Sequence, residues 1–321
     1  MKKRIICLAL AALMVLSAFA FTGCGEKKAN DKYVVGICQL VQHAALDAAT
    51  QGFMDALNEA LPGKVEFQNK NASGEANNCA TIVNGFVSDK VDLIMANATP
   101  ALTAAVSATK DIPILGTSIT AYGVALDIAD FSGTVGGNVS GTSDLADLSA
   151  QAAMITEWFP DTKTVGLLFC SAEPNSRYQI EEVAKYLADK GIESKEFAFT
   201  DTNDVTAVTQ AAADYADVIY IPTDNTAAAN TEAIANVLIP AKVPAICGEE
   251  GICAGCGVAT LSISYYDLGV TTGKMAAKIL TGEADISKMP IEYTSATKKY
   301  NASMCDALGI KPLDGYTAIG E

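Results

Sequence analysis

The sequence predicts an α/β chain made of two doubly wound βα series laid end to end. Three observations carry that expectation. Short, almost continuously apolar runs recur along the chain, their starts fall 21 to 32 residues apart within each half, and each is followed by a stretch with apolar residues at helical spacing. Strands that are apolar on both faces, alternating with amphipathic segments, read as parallel sheets covered by helices on both sides.

In order, the predicted strands of the first half are Tyr33–Cys38, Val65–Gln68, Val91–Ala96 and Ile112–Leu115. Those of the second half are Val165–Cys170, Ile192–Phe199, Val218–Ile221 and Val243–Cys247. Between them, Leu46, Ala49, Phe53, Ala56, Leu57 and Ala60 fall on one helical face, with Asp47, Gln51, Asp55 and Asn58 opposite. Ala76, Cys79, Ala80, Val83, Phe86 and Val87 form a second stripe, and Ile180, Val183, Ala184 and Leu187 a third. Leu61-Pro62-Gly63 and Lys190-Gly191 supply helix stops. The segment Val135–Ser143, rich in glycine and without an apolar stripe, is the expected join between the halves.

Ahead of the first strand, Met1-Lys2-Lys3-Arg4 is a short cationic start and Ile5–Phe21 an apolar or small-residue run, followed by Thr22-Gly23-Cys24 and a polar stretch. This pattern reads as a secretory leader over residues 1–23, with Cys24 in the position of a lipidated cysteine and residues 24–31 as a tether. About 17 apolar residues fall short of the roughly 20 that span a bilayer. The expected location is therefore outside the cytoplasm, on the membrane surface through lipidated Cys24.

Composition narrows the function. The chain has 321 residues, half of them apolar, with 22 Lys+Arg against 37 Asp+Glu and a net charge of −15, the wrong sign for neutralising nucleic-acid phosphates. Its single histidine, His43, leaves no multi-histidine metal site. Beyond Cys7 and Cys24 the cysteines are Cys38, Cys79, Cys170, Cys247, Cys253, Cys256 and Cys305, an odd set expected to serve as small buried apolar residues. Cys253-Ala-Gly-Cys256 lacks the second pair a zinc site would need. There is no GxGxxG after the first strand, no phosphate-binding GxxxxGK[ST] loop and no GxSxG elbow, so no enzyme, cofactor or metal is expected.

Doubly wound sheets bind ligands at the carboxyl ends of their strands, and two such units place a cleft between facing loops. On the first half those loops offer Gln39, His43, Asn97, Thr99, Thr117 and Ser118; Thr99-Pro100 resembles a helix cap followed by proline. On the second half they offer Glu173, Asn175, Asp224, Asn225, Glu249 and Glu250. Hydroxyls and amides opposite carboxylates suit a zwitterion, with Glu173, Asp224, Glu249 or Glu250 as the expected ammonium partner. The alternative is that the same residues are caps and turns, which Ser, Thr, Asn and Asp favour in any case.

Several blocks resemble one family. Tyr33-Val-Val-Gly-Ile-Cys-Gln-Leu-Val-Gln-His-Ala-Ala-Leu-Asp47 with Gln51-Gly-Phe53, then Gly141-Thr-Ser-Asp144, Ile221-Pro-Thr-Asp-Asn225, Gly248-Glu-Glu-Gly251, and Ser264-Tyr-Tyr-Asp-Leu-Gly269 with Ala276–Gly282 are similar to the substrate-binding lipoproteins of ABC transporters that include tryptophan- and tyrosine-binding members. The resemblance implies a type I periplasmic-binding-protein fold: two Rossmann-like lobes, three crossovers and a ligand enclosed by hinge closure. By analogy, residues 32–139 plus 262–285 form the first lobe, and residues 140–261 plus 286–321 the second. The implied function is capture of a small ligand, an aromatic or other amino acid, for a membrane permease driven by a cytoplasmic ATPase. A sugar or nucleoside ligand, or a sensing subunit of the same fold, is the alternative. The chain departs from the family pattern at Ala44 and at Thr120-Ala121-Tyr122, where ligand specificity is set, so Tyr122, Phe169 and Tyr266 are the candidates to stack an aromatic ligand.

Overall fold

The computed structural model describes residues 32–320; the predicted leader and Cys24 lie outside them. Two sheets organise the chain. The first is wholly parallel, in the order β11-β5-β4-β3-β1-β2, with β1 Tyr33–Gln39, β2 Val65–Asn71, β3 Leu93–Asn97, β4 Ile114–Ile119, β5 Val139–Ser143 and β11 Glu292–Tyr293. The second runs β13-β12-β10-β9-β8-β6-β7, with β6 Thr164–Cys170, β7 Glu193–Phe199, β8 Val218–Ile221, β9 Ala245–Cys247, β10 Ala259–Ile263, β12 Ala296–Tyr300 and β13 Thr317–Ala318. Only the β10–β12 pairing is antiparallel. Both sheets are doubly wound about a switch point, between β1 and β3 in one and between β6 and β8 in the other.

The edge strands β2 and β7 keep polar residues exposed, whereas the inner strands are buried on both sides and covered on both faces by helices. On the first lobe these are α1 Ala44–Ala60, α2 Ala76–Asp89, α3 Thr99–Ala108 and the short α4 Tyr122–Ala125. The second lobe carries α5 Leu148–Trp158, α6 Pro174–Asp189, α7 Val205–Ala213, α8 Asn225–Ala229, α9 Thr231–Ala241, α10 Glu250–Cys256 and α12 Ala302–Leu308. Most of the stripe expected on the first helix is its buried face, with Leu46, Ala49, Phe53, Ala56 and Leu57 in the core, whereas Ala60 in the last turn is exposed.

Helix α11, Tyr265–Leu280, follows a strand of the second sheet yet packs on α1 of the first lobe. Glycines permit that approach. A Cβ on Gly269 would overlap the Ala49 carbonyl, and one on Gly273 would lie 2.6 Å from the Phe53 carbonyl oxygen.

The chain passes between sheets three times, at residues 144–147, at Ser264 and at residues 294–295. This corrects the expected join. Val139–Ser143 is a fully buried strand that pairs with β4, because Ser140, Thr142 and Ser143 satisfy their hydroxyls internally rather than in water. Residues 140–143 and β11 accordingly belong to the first sheet, and the crossing begins at Asp144.

The seven described cysteines are free and buried. Trp158 sits in the second-lobe core against Tyr316, with ring centroids 5.0 Å apart.

Candidate functional site

The carboxyl ends of the two sheets face one another across a narrow cavity of about 10 Å³. Both switch points contribute to it, through the loops that follow β1 and those that follow β6 and β8. Of the residues expected from sequence, His43, Ser118, Asn175, Asp224, Asn225 and Glu249 line it. His43 Nε2 and Asn225 Oδ1 lie 3.3 Å apart, a contact from one lobe to the other. Burial lowers the His43 pKa, so this ring is neutral at pH 7. His43 occupies the cap position of α1 but makes no capping bond with its side chain.

Behind that wall the first lobe is braced by polar groups that do not reach the cavity. Gln39 accepts from Thr50 Oγ1 at 2.7 Å and donates to Asp47 Oδ1 at 2.7 Å. Asn97 donates to the Leu46 carbonyl and to Thr50 Oγ1 at 2.9 and 3.0 Å. Together they fix the first turns of α1, and with them His43 and Leu46. Thr117 joins Thr142 and Thr272 in a buried hydroxyl cluster that ties the sheet to α11. Thr99 is the first residue of α3, whose cap is Ala98 at φ 88°, so the cap lies one residue earlier than expected. Tyr122 is buried, its hydroxyl donating to the Thr142 carbonyl at 3.2 Å. Phe169 is a core residue under the Arg177 guanidinium, and Tyr266 is exposed with its hydroxyl on Asp55. None of these three aromatics lines the cavity.

On the second lobe Glu173 is a strut rather than a ligand contact. Its buried carboxylate accepts from the Asn225 and Thr226 amides at 3.0 and 2.9 Å, from Asn225 Nδ2 at 2.6 Å, from Thr226 Oγ1 at 2.8 Å and from Asn175 Nδ2 at 3.2 Å. Asp224 caps α8 through the Ala227 amide at 2.8 Å and also accepts from the Cys170 amide at 2.7 Å. Glu249 caps α10 through the Gly251 and Ile252 amides. Glu250 is drawn away from the cavity into an ion pair with Lys299 at 2.6 Å, because the period of α10 turns successive side chains to different sides.

The cavity is acidic. Burial pushes the Asp224 carboxyl up to about 7, helped by the nearby Glu173 charge, and the Glu249 carboxyl up to about 7 against the pull of its two backbone donors. A third carboxyl, Asp144, is pushed up to about 6 by burial, while the hydrogen bond from Tyr265 draws it down. Among the described residues, no lysine or arginine lines the space.

Three buried side-chain atoms on its wall have no hydrogen-bond partner: Ser118 Oγ, Asp144 Oδ1 and Asn175 Oδ1. Buried polar atoms are nearly always paired, so three orphans on one cavity mark a place for a ligand's donors. Ser118 adds a second sign, a left-handed backbone at φ 56°.

Asp144 and Tyr265 are lining residues that loop reading did not select. Both lie in blocks that carried the family resemblance, but they sit on crossings between lobes rather than after strands of the doubly wound core. Of the two adjacent tyrosines, Tyr265 faces in and Tyr266 out, a distinction only the phase of α11 supplies.

Residues 34–312 match the family described as ABC transporter substrate binding protein. The chain belongs to that family. A relative named tyrosine-binding protein, from Clostridioides difficile strain R20291, is 32% identical over 92% of this chain and 89% of its own length. A Streptococcus pneumonia ABC domain solved in complex with L-Trp is 30% identical, with a TM-score of 0.85 over 90% of this chain and 100% of that one. The ligand-free, open structure of a Clostridium difficile substrate-binding protein with adhesive properties is 32% identical over 89% of this chain and 99% of that one, with a TM-score of 0.68. At similar identity, this chain superposes more closely on the L-Trp complex than on the open structure. ABC substrate-binding proteins bind a small molecule outside the cytoplasm, and among the described residues no helix is long and apolar enough to cross a membrane.

Proposed function

We propose that this protein, anchored to the membrane surface by lipidated Cys24, captures an amino acid between its lobes and hands it to the permease of an ABC importer. The observation that carries the reading is the set of three unpartnered atoms on the cavity wall, Ser118 Oγ, Asp144 Oδ1 and Asn175 Oδ1. Two are pure acceptors and the third is a hydroxyl, which suits a group with several N–H donors and positive charge. An α-ammonium is such a group, and the surrounding Asp144, Asp224 and Glu249 favour it electrostatically. The first-lobe hydroxyls of Ser118 and Thr120 can donate to the α-carboxylate. The names of the relatives, a tyrosine-binding protein and an L-Trp complex, support an aromatic amino acid. A sugar fits less well, since among the described residues Tyr265 is the one phenyl-type ring on the wall and its hydroxyl is already engaged.

Capture follows from the hinge. With the lobes apart, the second-lobe loops and His43 face water; a ligand that bonds both sides shifts the population to the closed form. The protein, stripped of ligand by unfolding and refolding, is to be screened by thermal shift against the twenty amino acids, common sugars and nucleosides. A ligand at a hundred times its Kd adds about 2.7 kcal/mol of stability, a shift of several degrees. Stabilisation by tyrosine, tryptophan or phenylalanine supports the reading; stabilisation by sugars or nucleosides alone overturns it.

A further inference from the structure

We propose that Tyr265 is the positioning residue for ammonium recognition: from the second crossing between the lobes it holds the Asp144 carboxylate of the first crossing, so that one oxygen is fixed to the hinge and the other faces the ligand. The inference rests on the amino-acid reading above and deepens it.

Asp144 is the first residue after β5, and Tyr265 begins α11 one residue after β10, so two of the three crossings meet at this pair. Tyr265 Oη donates to Asp144 Oδ2 at 2.9 Å, a bond between residues 121 apart in sequence, with both side chains buried. The neighbouring backbone is fixed as well. The Asp144 amide donates to the Ile119 carbonyl at 3.2 Å, and Ser143 Oγ donates to the Thr120 carbonyl at 3.0 Å. The Tyr265 ring packs with Ala45, Ala49, Ile263 and Leu268, which leaves its hydroxyl little freedom to turn elsewhere.

A carboxylate free to turn about its side-chain bonds is a poor orienter of a ligand, and a hydrogen bond from behind supplies the missing constraint. With Oδ2 held, Oδ1 is the unpartnered atom on the cavity wall. The Tyr265 bond also favours the charged carboxylate. That matters because the titratable groups facing Asp144 are Tyr265, Tyr122 and Glu249, none of them cationic, and the neutral His43 lines the same cavity. Closure and ligand charge are therefore read at one point: lobe movement that parts the two crossings would release the carboxylate.

The test is Tyr265→Phe, which removes one oxygen and keeps the ring. Calorimetric titrations use L-tyrosine and L-tryptophan, with 3-(4-hydroxyphenyl)propionate and indole-3-propionate as probes lacking the ammonium. We expect the variant to bind the amino acids about tenfold more weakly at pH 7, to lose little or no further affinity for the des-amino probes, and to move the pH at which affinity is lost upward. Equal weakening toward both probe classes with an unmoved pH midpoint would overturn the inference and leave the amino-acid reading intact. Should the wild-type chain bind neither amino acid, the functional reading itself falls. The positioning role is still decided without ligand, by carbon-13 NMR titration of Asp144: its pKa rises in Tyr265→Phe if the bond holds the charge, and an unchanged pKa refutes it.

Discussion

Glu173 separates a structural account of the second-lobe loop from a ligand-contact account. Replacing it with alanine removes the acceptor of five hydrogen bonds, two of them from the backbone amides of Asn225 and Thr226. Glu173 itself is buried, its Asn225 and Thr226 partners are half-buried, and each donor left without a partner costs up to about 1–3 kcal/mol. With two amides and three side-chain groups affected and partial relaxation of the loop, the loss comes to about 3–5 kcal/mol. At roughly 2–4 °C per kcal/mol this lowers Tm by about 10 °C. The assay is urea unfolding at pH 7 followed by fluorescence, with m compared to confirm that the denatured state is unchanged. A stability loss below about 1 kcal/mol together with abolished ligand binding would refute the strut and restore Glu173 as a direct contact.

Other outcomes follow from the same geometry. Asp144, Asp224 and Glu249 hold protons in the folded chain that they would release on unfolding, because their values are raised from 3.8, 3.8 and 4.5 to about 6, 7 and 7. Their contribution to stability is complete below about pH 4 and lost as pH rises through 6 and 7. Ligand-free protein should accordingly melt lower at pH 7.5 than at pH 5, with a shallower fall in Asp144→Asn; a profile that rises over that range contradicts the assignment. Gly269→Ala should destabilise by about 1–3 kcal/mol, since its Cβ meets the Ala49 backbone, whereas Gly85→Ala, with open space around it, should be neutral or slightly stabilising in thermal melts. Glu250→Gln should leave amino-acid affinity within about twofold and cost no more than about 1 kcal/mol, as expected for a partly exposed ion pair with Lys299. A tenfold loss of affinity would return Glu250 to the site.

The doubly wound halves were legible because each inner strand is apolar on both faces and so stands out from its flanking helices. Strands without that signature escaped. Val139–Ser143 is buried, but its serine, threonine and glycine read as a loop until the partners of those hydroxyls are known. Likewise β12, Ala296–Tyr300, carries two lysines on an antiparallel strand near the edge of its sheet. At the cavity, the loops after β1, β4, β6, β8 and β9 supplied residues because strand ends at a switch point are predictable in kind. Which carboxylate is available was not. Asp224 and Glu249 satisfy their own helix starts, Glu173 satisfies a neighbouring loop, and Glu250 turns outward. Asp144 keeps an oxygen free only because Tyr265, distant in sequence, takes the other.

The most direct test of the central claim is calorimetric titration of ligand-stripped protein with L-tyrosine and L-tryptophan, beside the Asp144→Asn variant. The account predicts one-to-one binding of at least one of these amino acids, weakened tenfold or more when Asp144 loses its charge. Saturable binding of a sugar or nucleoside with no response to any amino acid, or amino-acid binding indifferent to Asp144, would contradict it.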